Sequence, residues 1–157
     1  MKLIFKQKFL SLFDSYDIYD ENNNVVYKVK GQLSFGHLFK IYDSNNEEVG
    51  HLKQKVFTFL PKYEIYEHGE KLGEIHREFS PFIPKFTITF GNYTVKGNFM
   101  EWDYDVYKEN VKIATISKEL LKLTDTYVIN VDDHEALIAL MIVLAIDSIK
   151  DNRSNNN

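Results

Sequence analysis

The chain has 157 residues, of which 44% are hydrophobic, 15% aromatic and 27% charged, with a formal net charge of −4. That length suits one domain able to bury about two-thirds of its unfolded surface. The absence of cysteine excludes a disulfide framework, a thiolate nucleophile and a cysteine zinc site, and the acidic balance leaves only a local basic patch as a route to nucleic acid or an anionic membrane.

The first ten residues combine an early lysine with apolar side chains, but Lys6, Gln7 and Lys8 interrupt any signal-peptide core, so the segment reads as a first strand. A short unit then recurs: an aromatic residue, a β-branched residue two positions later, a polar turn and a second alternating strand. Its first strands are 16–20 (TyrAspIleTyrAsp), 39–43 (PheLysIleTyrAsp), 63–67 (TyrGluIleTyrGlu), 86–90 (PheThrIleThrPhe) and 104–108 (TyrAspValTyrLys). The turns fall at Asp20–Asn24, Asp43–Glu48, Glu67–Lys71, Gly91–Asn92 and Lys108–Asn110. Asn, Asp and Gly suit them because they tolerate left-handed backbone and bond it with their own side chains. Each unit is therefore expected to be a β-hairpin, with about seven strands before Phe79 and about five after it.

A longer duplication underlies the hairpins. Tyr27–Gly31 (TyrLysValLysGly) returns as Tyr93–Gly97 (TyrThrValLysGly), Phe39–Tyr42 as Tyr104–Tyr107, Gly50–Leu52 as Ala114–Ile116, and Tyr63–Ile65 as Tyr127–Ile129, at offsets of 66, 65, 64 and 64. So constant an offset predicts two similar halves, about 1–78 and about 79–131. Strand alternation places Gly50 with Leu52, Gly73 with Ile75 and Ala114 with Ile116 on one face; these three small residues are expected to ring a close approach by another backbone. His51, Lys53 and Lys55, and Glu74, His76 and Glu78, fall on the opposite, solvent face.

Ala136 to Ile146 contains no polar side chain. A helix apolar all round must be enclosed on every side, and a run of roughly 16 Å at helical rise covers only about half of a bilayer core. It is expected to be a helix, about 133–149, buried at the centre of a closed barrel, a shape that also removes exposed strand edges. Asp132 followed by Glu135 has the spacing of a capping box. The expected organisation is one domain over 1–150 and a polar, disordered tail over 151–157.

Several of these segments resemble a known family. The runs at 16–31, 39–55, Pro61–Tyr66 and Asp125–Asp133 look like the LURP-one-related family, which is similar in fold to the tubby C-terminal domain and related to phospholipid scramblases. The resemblance covers about Phe5 to Ile149. It implies a mainly β, twelve-stranded closed antiparallel barrel of the tubby C-terminal-like type around a hydrophobic C-terminal helix. It implies little about activity. Tubby domains bind phosphoinositides, but none of their head-group residues maps onto this chain.

No constellation for catalysis emerges. Ser34, Ser80 and Ser117 lack a nucleophile-elbow context, Phe35–His37 reads as a turn, and Glu70–Gly73 is a hairpin segment lacking the glycine-rich run of a phosphate loop. The five histidines show no His-x-x-His spacing, although His51 and His76 lie on comparable strands and could meet. Asp132–Glu135 could ligate a metal, but helix capping explains it as well. The expectation is no enzyme activity, no cofactor and no metal.

Two surface features remain. Lysines spaced two apart, Lys6/Lys8, Lys28/Lys30 and Lys53/Lys55, would form a strip suited to phosphate groups if their strands were neighbours. The apolar stretches Phe57–Pro61 and Phe79–Pro84 either plug a barrel end, the commoner arrangement, or form a rim that dips into a membrane or meets a partner. A barrel filled by its own helix leaves little interior for a ligand, so function is expected outside. The expectation is a cytoplasmic binding protein, at most peripheral at the membrane, recognising anionic phospholipid head groups through Lys28, Lys30, Lys53 and Lys55. The alternative is a protein-interaction module with no lipid role. Neither nucleic-acid binding nor transmembrane insertion is expected.

Overall fold

The structure is a computed structural model that describes residues 1–6, 15–119 and 126–151. Its elements in chain order are β1 (Lys2–Phe5), β2 (Ser15–Tyr19), β3 (Val25–Ser34), β4 (Gly36–Asp43), β5 (Glu48–Gln54), β6 (Lys62–Glu67), β7 (Glu70–Arg77), β8 (Phe86–Ile88), β9 (Tyr93–Asn98), β10 (Asp103–Lys108), β11 (Val111–Glu119), β12 (Thr126–Val131) and the helix α1 (Ala136–Asp151). Single 3₁₀ turns occupy Phe99–Glu101 and Asp133–Glu135. Except for Asp151, which ends α1, the predicted tail lies outside the described residues, as does Lys8.

The twelve strands make one antiparallel sheet, ordered β8-β7-β6-β5-β4-β3-β2-β1-β12-β11-β10-β9. All consecutive strands except β8 and β9 pair as hairpins, and β12 returns to β1 with Leu3 opposite Ile129. The two sheet ends, β8 and β9, meet through a turn in which the Tyr93 N–H donates to the Phe90 carbonyl at 3.3 Å. The barrel is thus closed but for a seam between these two strands.

The turns form as their residue types dictate. The Asp20 carboxylate accepts the N–H groups of Asn22 and Asn24, both at 2.8 Å. Asp43 repeats this with Asn45 and Glu47, both at 2.9 Å. Asn23 and Asn46 share a φ of 66°, the left-handed conformation that Asn tolerates.

The residues of the sequence repeat lie at matching register positions. Gly31 lies opposite Phe39 and Gly97 opposite Tyr104; Gly50 faces Ile41 and Ala114 faces Val106. At Gly50 a Cβ would stand 3.0 Å from the Met141 sulfur of α1, so that glycine does admit the helix. Gly73 serves another purpose: a Cβ there would meet Thr89 and Phe90, just beyond β8, because the chain folds back against β7 at the seam.

Inward alternation lines the barrel with Leu3, Ile18, Val29, Ile41, Leu52, Ile65, Ile75, Val106, Ile116 and Ile129, none of them exposed. α1 fills the space they enclose; from Ile138 to Lys150 every residue is buried. Few polar groups enter this core. The Tyr63 hydroxyl lies 2.6 Å from Ser148 Oγ of α1; burial pushes its phenol up to about 12, against the opposing effect of that hydrogen bond.

The predicted capping box does not form. Asp132 occupies the N-cap of the 3₁₀ turn but makes no side-chain capping bond. Glu135 turns inward, where it accepts from Lys108 Nζ at 2.6 Å and from the Tyr93 hydroxyl. A charge-assisted bond in a buried position is stronger than one to an exposed amide, and it wins the carboxylate. Burial raises the Glu135 pKa, but the bonds from Lys108 and Tyr93 outweigh it and the net direction is downward. A depressed folded value means stabilisation that is complete above the unfolded value of 4.5 and lost as pH falls through the folded one. Glu135→Gln keeps an acceptor for Tyr93 but loses the ion pair, and should cost about 1–2 kcal/mol near neutrality. In urea titrations from about pH 7 to about pH 3 the gap between wild type and variant should close; a gap independent of pH would show that the charge on Glu135 contributes nothing.

Candidate functional site

Lys28 and Lys30 project from the outer face of β3, since Val29 between them is fully buried; Lys53 projects likewise from β5 beside buried Leu52. The two strands are not neighbours. β4 lies between them and contributes Lys40, opposite both Lys30 and His51, so three adjacent strands carry one basic face. Lys40 has the same outward parity but occurs singly in its strand, so a search for lysine pairs passes over it. Its partner across the ladder becomes visible only once β3 and β4 are placed in register.

Carboxylates occupy part of this face. Lys28 is 3.9 Å from Asp17, Lys40 is 3.3 Å from Glu48, and Lys55 is 3.2 Å from Glu74, which Lys62 also approaches at 3.3 Å. Three ammonium groups, those of Lys55, Lys62 and Lys71, share the carboxylates of Glu64 and Glu74. Hydrogen bonding from Tyr66 helps hold Glu64 below its ordinary value. Lys30 and Lys53 are exposed and have no carboxylate partner among the described residues; Lys30 lies 4.8 Å over the Tyr42 ring.

The apolar stretches do not plug the barrel. Phe57 is 93% exposed and Phe82 92% exposed, and Phe35, Phe59, Phe79 and Ile83 are also exposed. The interior needs no plug because α1 already reaches this end: Lys150 Nζ donates to the Phe99 carbonyl at 2.7 Å. In an up-and-down sheet the β3–β4, β5–β6, β7–β8 and β9–β10 connections all leave at the same end. They form an aromatic rim there, with the Phe35 and Phe57 rings 5.8 Å apart.

The other candidates disperse. His51 stacks on Tyr66 at 4.3 Å and sits 3.1 Å from Glu48. His76 is opposite Lys62 and Thr87, with β6 between the two histidines. Asp133 receives the N-terminal amine at 2.8 Å, His134 is exposed and Glu135 is interior, so the acidic run before α1 does not converge. No group of three potential metal ligands occurs among the described residues. No helix there is long and apolar enough to cross a membrane.

A similar fold occurs in an X-ray structure of a protein from Arabidopsis thaliana. It superposes with a TM-score of 0.62 at 18% identity, over 94% of this chain and 90% of that one; at such low identity the likeness concerns the fold. The uncharacterized protein YxjI of Bacillus subtilis (strain 168) is 28% identical over 152 residues, 95% of this chain and 93% of that protein. Neither name carries an activity. The LURP-one-related family model matches residues 1–147, from the first strand well into the central helix, and the chain belongs to that family.

Proposed function

We propose that the protein is a non-catalytic binding module that recognises anionic phospholipid head groups through the outer face of β3–β5, with Lys28, Lys30, Lys53 and Lys55 as its contacts and Lys40 between them. The observation that carries this reading is the pair Lys30 and Lys53, exposed on one face and without a carboxylate partner among the described residues. Two cations left uncompensated on a chain of net charge −4 are available for phosphate. A lysine near an anionic surface contributes about 1 kcal/mol, enough in combination for reversible, salt-sensitive binding.

Liposome co-sedimentation tests it, with phosphatidylcholine vesicles against mixed phosphatidylcholine and phosphatidylserine vesicles at low and moderate salt. The wild type should sediment with the anionic vesicles and less so as salt rises. The quadruple variant Lys28→Glu, Lys30→Glu, Lys53→Glu, Lys55→Glu should bind at least about tenfold more weakly, with an unchanged circular dichroism spectrum. Failure to sediment under any condition would refute the lipid reading. The exposed aromatic rim supports the second reading, a protein-interaction module; recovery of one specific protein by pull-down, lost on rim substitution but not on lysine reversal, would establish it.

A further inference from the structure

We infer that the aromatic rim is a second membrane contact, which seats the barrel end-on with Phe57, Phe59, Phe82 and Ile83 inserted among the head groups of an anionic bilayer; this rests on the lipid reading above and gives it an orientation. The rim is built to keep apolar side chains outside. All three prolines of the chain, Pro61, Pro81 and Pro84, lie in its two longest described loops, where fixed φ angles cut the entropy lost on docking. Phe57 holds a φ of 60°, a conformation that costs a side chain of this kind stability and persists only where the surroundings impose it. The Thr58 hydroxyl beside it donates to the Leu60 carbonyl at 2.8 Å. The described connections thus present aromatic tips on three loops, two of them packed together through Phe35 and Phe57, an uneven shape that suits a deformable lipid surface better than a rigid protein one.

Charge selects the occupant. The opposite pole, where the short turns lie, carries Asp20, Glu21, Glu47, Glu109, Asp132 and Asp133. At the rim, Lys53, Lys55, Lys62 and Lys85 flank the β5–β6 and β7–β8 loops; Glu74 pairs with Lys55 and Lys62, and Glu78, Glu101 and Asp103 stand against the rest. The molecule is electrically polarised along the barrel axis, with its acidic pole away from the aromatic tips. An anionic membrane would attract the rim and repel the turns, with Lys53 and Lys55 of the basic face nearest the head groups and Lys28, opposite Tyr42 beside the Asp43 turn, farthest from them. Apolar side chains of interfacial anchors reach roughly 5–10 Å into the boundary region.

The absence of cysteine makes the test direct. Ile83→Cys at the rim and Asn22→Cys at the acidic pole each give one site for an environment-sensitive fluorophore. With phosphatidylserine-containing vesicles the label at 83 should shift to the blue and be quenched by nitroxide-bearing lipid, while the label at 22 stays in water. Phe57→Ser with Phe59→Ser should weaken sedimentation at least about tenfold, since each buried phenylalanine contributes roughly that factor. Lysine-dependent sedimentation with a label at 83 that remains in water would overturn the inserted rim and leave the lysine reading standing. Insertion into phosphatidylcholine alone, unaffected by lysine reversal, would keep the rim and refute the lysines. A blue shift at 83 that grows with protein concentration in the absence of vesicles would assign the rim to a second copy of the chain and overturn the proposal. No response in either assay would refute both readings.

Discussion

Ile142→Asp is expected to leave the chain unfolded. Ile142 is not exposed at all, and neither are Ala139 to Val143 around it; Leu144 is 2% exposed. The substitution removes about 2–3 kcal/mol of apolar burial. It also places a carboxyl where no water or cation can reach it, and even the neutral acid costs several kcal/mol more when buried without a hydrogen-bond partner. The sum is comparable with the whole stability of a domain, about 5–15 kcal/mol. Far-UV circular dichroism should lose the β signature and the amide spectrum its dispersion. Ile142→Val, which deletes one methylene at the same place, should cost only about 1 kcal/mol and keep cooperative unfolding. A well-dispersed spectrum and a cooperative melt for Ile142→Asp would mean that α1 is not enclosed, and the central-helix architecture would have to be abandoned.

The features that could be read in the chain beforehand are those set by short-range physics. Hairpins such as Asp20–Asn24 and Asp43–Glu47 announce themselves because the same side chain that suits the turn also bonds its backbone. The helix announces itself because eleven apolar residues in succession admit few environments other than a protein interior. Gly31 and Gly97, one repeat apart in the sequence, lie opposite Phe39 and Tyr104 at matching positions of the ladder. What stayed hidden depends on which strands become neighbours and on what else competes for a side chain. Glu135 has the spacing of a cap, yet Lys108 and Tyr93, distant in the chain, take its carboxylate. Lys40 joins the basic face only through register. The rim phenylalanines look like core residues by composition, and only the length of α1, which fills the barrel to that end, shows that the core has no room for them.

The remaining strong expectation concerns the other end of α1. Lys150 is buried, with Nζ 3.3 Å from Asp147, 2.7 Å from the Phe99 carbonyl and 4.7 Å above the centre of the Trp102 ring. Asp147 in turn acts on the surrounding phenols: burial drives Tyr16 and Tyr104 well above the usual tyrosine range, and the nearby carboxylate adds to it. Lys150→Met preserves most of the volume and deletes the charge, so packing changes little while Asp147 and the Phe99 carbonyl each lose a cationic donor. Losing these charge-assisted bonds should cost about 1.5–3 kcal/mol, which for a chain of this size should lower the melting temperature by roughly 3–12 °C. Because the two side chains share one interaction, Lys150→Met and Asp147→Asn together should cost less than the sum of their separate losses. A Lys150→Met variant within 1 kcal/mol of wild type, at an unchanged urea m value, would rule out this ion pair as a tie. Because Phe99 leads directly into the β9–β10 connection at the rim, amide exchange should accelerate over 99–102 in the variant and stay as it was in the Asp20–Asn24 turn at the opposite pole. That contrast would distinguish loss of a local tie between helix and rim from a general weakening of the barrel.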